Sequence, residues 1–127
     1  EASAAVTRER KALGDFGERY AAALLTRAGY AVLGRNIRLR SGEIDIVARD
    51  GPTLVFVEVR TRRGGKFGSP EESVTPKKRA HLVAAAQEYL QENRAEGREW
   101  RIDVVAIEYG HDGKVTRLDV MENAVEI

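Results

Sequence analysis

Two apolar, β-branched segments separated by one short turn constrain this chain more than any other feature. Glu43-Ile44-Asp45-Ile46-Val47-Ala48 and Leu54-Val55-Phe56-Val57-Glu58-Val59 flank Asp50-Gly51-Pro52-Thr53. Glycine and proline in the middle of that tetrapeptide supply turn backbone, and the flanks are rich in strand formers. The segment therefore predicts an antiparallel hairpin closed at 50–53. In that register Asp45 faces Glu58 and Glu43 faces Arg60. Opposed Cβ atoms lie about 4.5–5.5 Å apart, and side chains two apart share a face. A β-bulge would break this register.

Two carboxylates so placed repel each other, and Glu58 lies inside an apolar strand. Burying an unpaired carboxylate costs several kcal/mol, so something must compensate. A divalent ion is one solution, and an oxygen-only ligand set favours Mg²⁺ or Mn²⁺. An ordinary ion pair with Arg60 is the other, and the hairpin alone leaves the two open.

The rest of the chain organises around this hairpin. Residues 10–28 read as a helix, with Leu13, Phe16, Gly17, Tyr20 and Leu24 on one face and Gly29 as its C-terminal cap. Glu18 falls at the edge of the apolar arc, beside Gly14, Ala21 and Leu25, where a carboxylate could reach the hairpin. The bland reading is a boundary glutamate that extends to water. Residues 31–38 read as a strand. Thr75-Pro76 opens a second helix, with threonine as N-cap and proline at the first position, running to about Gln91. Trp100 to Glu108 and Val115 to Met121 are further strands around a turn at 110–113. The order is αβββαββ, an α/β domain with a mixed central sheet flanked by helices. Residues 1–8 are small and polar and expected to fray, within one domain spanning 1–127.

At 127 residues, 43% apolar and 32% charged, the chain has room for one core and is not of disordered composition. No apolar run approaches the roughly 20 residues that span a bilayer, and no leader pattern is evident. Cysteine is absent, which excludes thiolate metal sites and fits a cytoplasmic setting. The net charge of +1 hides a local excess: Arg60, Arg62, Arg63, Lys66, Lys77, Lys78 and Arg79 face only Glu71 and Glu72 between positions 60 and 79. Such a segment suits a polyanion, and equally a solvated loop and helix start. Gly64-Gly65-Lys66-Phe67-Gly68 lacks P-loop spacing. His81 and His111 read as surface residues, Gln87 as a core hydrogen-bonding residue of the second helix, and Asp103 as a structural brace.

Gly17-Glu18, Arg35-Asn36, Gly42-Glu43-Ile44-Asp45, Phe56-Val57-Glu58-Val59-Arg60 and Arg101-Ile102-Asp103-Val104-Val105, in that order, resemble the YraN-like bacterial family. That family is similar to the PD-(D/E)XK nucleases, close to archaeal Holliday-junction resolvases. The resemblance implies a restriction-endonuclease-like core and Mg²⁺- or Mn²⁺-dependent cleavage of structured or branched DNA. It makes Asp45 and Glu58 the metal-binding acids. Glu18 becomes a helix-borne acid that helps hold the attacking water. Arg60 stands where the superfamily pattern has lysine; arginine stays charged and cannot act as a base, but can hold phosphate. Arg62, Arg63, Lys66, Lys77 and Lys78 would bind the nucleic-acid backbone. A homodimer would suit symmetric strand cutting. The alternatives are a non-catalytic nucleic-acid-binding module on the same fold, and a protein-interaction domain of a DNA-handling assembly.

Overall fold

A computed structural model describes residues 2–64 and 74–125, with side chains from Gly14 onward. The elements run α1 (Ala2–Arg27), β1 (Ala31–Leu39), β2 (Gly42–Asp50), β3 (Thr53–Arg63), α2 (Pro76–Glu92), β4 (Trp100–Tyr109) and β5 (Val115–Met121). This is the αβββαββ order expected, and the five strands form one sheet in sequence order. Only β3 and β4 are parallel; α2 is the crossover between them, and every other neighbouring pair is antiparallel. No helix among the described residues is long and apolar enough to cross a membrane.

The turn chemistry explains the joints. Asp50 pairs with Thr53 across Gly51, whose φ of 57° lies in the left-handed region. Gly29, at φ 95°, ends α1, with the Tyr30 N–H donating to the Leu25 carbonyl. Thr75 caps α2 by accepting from the Lys78 N–H, with Pro76 next. Glu88 of α2 clamps the β1–β2 turn. Its carboxylate accepts from the N–H groups of Arg40 and Ser41 and from the Ser41 hydroxyl, which holds it below the usual carboxylate range.

One helix covers each face. Leu82, Ala85, Ala86 and Leu90 of α2 pack with Ile44, Val47, Leu54, Phe56, Ile102 and Val104. Ala21 and Leu25 of α1 pack with Ile46, Ala48, Val55, Val57, Val105 and Ile107 on the other face.

Two features of α1 differ from the sequence expectation. The helix begins at Ala2, so residues 2–8 are helical; this stretch holds three alanines, the strongest helix former. Its buried stripe is also rotated toward small residues. Gly17, Glu18, Ala21 and Leu25 face the sheet, whereas Phe16 and Tyr20 are 43% and 37% exposed. The reason is close approach. A Cβ at Gly17 would overlap the Thr61 methyl and lie 3.4 Å from the Tyr109 hydroxyl. Gly17→Ala is therefore expected to destabilise the fold by about 1 kcal/mol despite alanine's better helix propensity. Urea unfolding midpoints measure this; a more stable variant would mean that Thr61 yields freely.

Asp103 is the brace expected. At 1% exposure, it accepts from the Arg101 Nε at 3.1 Å and the Asn123 N–H at 2.8 Å. Arg101 also donates to the Tyr30 hydroxyl and to Asp50, fastening β4 to the end of α1 and to β2. Gln87 is a correction. It is exposed, because the buried stripe of α2 passes through Ala85, Ala86 and Leu90 and leaves position 87 outside.

Candidate functional site

The β2–β3 ladder follows the expected register from Asp50–Thr53 to Ile46–Val57 and stops there. Beyond that point β2 continues along β1 to Gly42–Leu39, and β3 continues along β4 to Arg63–Tyr109. The two strands therefore part, and Asp45 and Glu58 stand at the mouth of the fork.

Asp45 is where regular pairing fails on both sides. Its β1 neighbour in the register is Asn36, whose φ is 52°, and no bridge forms there. Toward β3, its Oδ2 accepts from the Val59 N–H at 2.8 Å, replacing a backbone carbonyl. Ile44 and Ile46 pack on opposite faces of the sheet, so strict alternation breaks between them. This corrects the expectation that Glu43 and Arg60 face each other. Glu43 is exposed and paired with Arg38 on β1, while Arg60 turns to Glu58.

The carboxylates do come together. Asp45 is pushed up to about 7, first by burial and then by the charge and hydrogen bond of Glu58; the Val59 N–H and Lys78 pull the other way. Glu58 is 2% exposed. Its Oε2 meets the Arg60 Nη1 at 3.2 Å and the Lys78 Nζ at 3.5 Å. Lys78 reaches it from the first turn of α2, and Glu58 lies on the face that α2 covers.

Glu18 lies on the α1 side, 5% exposed. Its Oε1 accepts from the Arg35 Nε at 3.0 Å and the Asn36 Nδ2 at 2.9 Å. Burial raises its pKa, the Arg35 guanidinium lowers it, and Asp45 is close enough to add a smaller upward push. Asn36 thus links the two acids, next to Asp45 in the register and bonded to Glu18. Among the described residues, no three His, Cys, Asp or Glu side chains converge as a metal cluster. The close carboxylate set is the Asp45–Glu58 pair, with Glu18 adjoining it through Asn36.

The other candidate binding residues are less tightly placed. Arg62 and Arg63 continue β3 beyond Arg60, with Arg63 exposed, and Lys77 is exposed in the first turn of α2. Lys66 lies outside the described residues. His81 and His111 are exposed, as expected. Sequence reasoning missed the partnership of Lys78 with Glu58 and the clamp of Arg35 and Asn36 on Glu18. A partial signal existed for the first: Thr75-Pro76 fixes where α2 begins and so puts Lys78 in its first turn.

Fold and fork together define an α/β domain with a mixed five-stranded sheet and a two-carboxylate site opened between two of its strands. The chain belongs to the Uncharacterised protein family UPF0102, the YraN-like family its motifs resemble, and matches it over residues 17–107. It is 47% identical over 116 residues to a UPF0102 protein of Dehalococcoides mccartyi, covering 91% of this chain and 94% of the relative. A UPF0102 protein of Roseiflexus castenholzii is 48% identical over 122 residues, covering 95% of this chain and 98% of the relative. One from Acidothermus cellulolyticus is 50% identical over 112 residues, covering 88% and 80%.

Proposed function

We propose that this protein is a metal-dependent endonuclease that hydrolyses phosphodiester bonds in structured or branched DNA. The observation that carries the reading is the contact of Asp45 with the buried Glu58, in which burial and the neighbouring carboxylate push the Asp45 carboxyl up to about 7.

The donor chemistry fits a hard divalent cation: two adjacent carboxylates whose mutual repulsion an ion between them relieves, and no nitrogen or sulfur ligand. Asp45 and Glu58 would hold Mg²⁺ or Mn²⁺, which supplies Lewis-acid activation of the phosphate and of the attacking water. The chain's own residues do the rest. The Val59 N–H fixes the Asp45 carboxylate in the fork. Arg60 offers a permanently charged guanidinium to the scissile phosphate and stabilises charge that builds in the transition state. Glu18, oriented by Arg35 and Asn36, positions the attacking water. Arg62, Arg63, Lys66 and Lys77 hold the backbone without reading sequence, so binding weakens steeply with salt. A homodimer would present two such forks to two strands.

The testing experiment is a titration of Mg²⁺ and Mn²⁺ with a supercoiled plasmid and a four-way DNA junction. Metal-dependent nicking supports the reading. In the same assay Arg60→Gln is expected to lower the single-turnover rate about 100-fold while changing junction affinity only several-fold. Equal losses in both would make Arg60 a binding residue alone.

Arg60 and Lys78 already pair with Glu58, which favours a second reading: a non-catalytic nucleic-acid-binding module on the same fold. Salt-sensitive junction binding with no nicking in either metal would select it.

A further inference from the structure

Lys78 contacts the pair from α2, whereas Asp45, Glu58 and Arg60 lie on the sheet. Its backbone N–H is anchored to the Thr75 hydroxyl, which fixes the first turn of α2. Its side chain is 34% exposed and ends 3.5 Å from the Glu58 Oε2. The same oxygen carries Arg60 at 3.2 Å. Among the described residues, Asp45, Glu58, Arg60 and Lys78 thus make a local set of two anions and two cations. A divalent ion added to that neutral set meets two positive charges at close range, and relief requires that one of them leave. Arg60 is two residues from Glu58 on the same strand and stays beside it. Lys78 hangs on a flexible unbranched stem, is partly exposed and sits at the longer of the two contacts, so moving it costs least.

We infer that Lys78 is an internal counter-cation, which occupies Glu58 until a divalent ion displaces it and then pairs with a phosphate of the nucleic acid. The inference rests on the proposed metal site and assigns its coupling to the substrate. Metal binding frees a cation for the backbone, and by linkage nucleic acid strengthens metal binding by the same factor.

Two measurements on the full chain test it. First, Mn²⁺ alone is titrated into wild type, Lys78→Met, Lys78→Arg and the Asp45→Asn/Glu58→Gln double variant, with free Mn²⁺ read by its electron paramagnetic resonance signal. Lys78→Met is expected to bind Mn²⁺ at least about 5-fold tighter than wild type, because a repelling charge is gone, with Lys78→Arg near wild type. Second, four-way junction affinity is measured with and without Ca²⁺. The gain that Ca²⁺ gives wild type is expected to shrink to less than about half in Lys78→Met. Mn²⁺ affinity in Lys78→Met equal to or below wild type would overturn the role of Lys78 while leaving the metal site standing. Wild type that binds no Mn²⁺, or binds it as well as the double variant, would remove the metal site and this inference together.

Discussion

In 10 mM-class Mg²⁺ with a four-way junction, Glu58→Gln is expected to lower the cleavage rate by at least about 1,000-fold, a loss of about 4 kcal/mol of transition-state stabilisation. The size follows from where Glu58 stands. It is buried at the fork, and the amide that replaces it is isosteric but uncharged, so it cannot help hold a cation against the phosphodiester. Asp45→Asn is expected to fall as far. The asparagine carbonyl can still accept from the Val59 N–H, so the local fold survives while the charge goes. Single-turnover assays with matched circular dichroism spectra make the comparison. Full metal-dependent cleavage by either variant would dismiss the site assignment.

Asp45→Asn should also make the metal-free protein more stable at alkaline pH. Burial and Glu58 raise Asp45 from its ordinary 3.8 to about 7. Below about pH 4 the carboxyl is protonated in both folded and unfolded chains. Between pH 4 and 7 the unfolded chain releases a proton that the folded one retains, so stability falls as pH rises through that window. Above 7 the folded state carries two contacting carboxylates, compensated only in part by Arg60 and Lys78. Each pKa unit is about 1.4 kcal/mol, and sharing of the interaction within the pair leaves an expected gain of order 2 kcal/mol for Asp45→Asn at pH 8. The gain should vanish near pH 4. Urea unfolding in a chelator, at several pH values, gives the difference directly; other carboxylates such as Glu88 and Asp103 cancel because both proteins carry them. A constant difference across pH would mean that Asp45 is not strained by its neighbour. Gain in stability with loss of activity is the trade expected where a functional site stores charge repulsion.

The part of this site legible in the sequence was the part written in turn and strand chemistry. Gly51 and Pro52 set the hairpin, and the hairpin set the register up to Ile46–Val57. Thr75 and Pro76 set the start of α2. What the periodicity could not carry was the interruption at Asp45. Strand alternation assumes that backbone pairs with backbone, and here a carboxylate takes the place of a carbonyl while Asn36 adopts a left-handed backbone. The face of α1 was misread for a related reason. Ranking by apolar size favours Phe16 and Tyr20, but α1 docks through Gly17 and Ala21, where absence of side chain is what the packing requires. Helical periodicity put Glu18 at the edge of the apolar arc, within reach of the hairpin, and the ordered motifs imply its association with the two strand acids. The sequence marks Lys78 by its charge and its place at a helix start; its contact with Glu58 depends on how α2 docks on the sheet, a tertiary fact.

The metal site is tested most directly by a crystal of the protein soaked in Mn²⁺, with anomalous diffraction recorded at the manganese edge. The expected result is an anomalous peak between the carboxylates of Asp45 and Glu58, with the Lys78 ammonium withdrawn from Glu58. A soaked crystal with no peak there, and Lys78 still paired with Glu58, would contradict it.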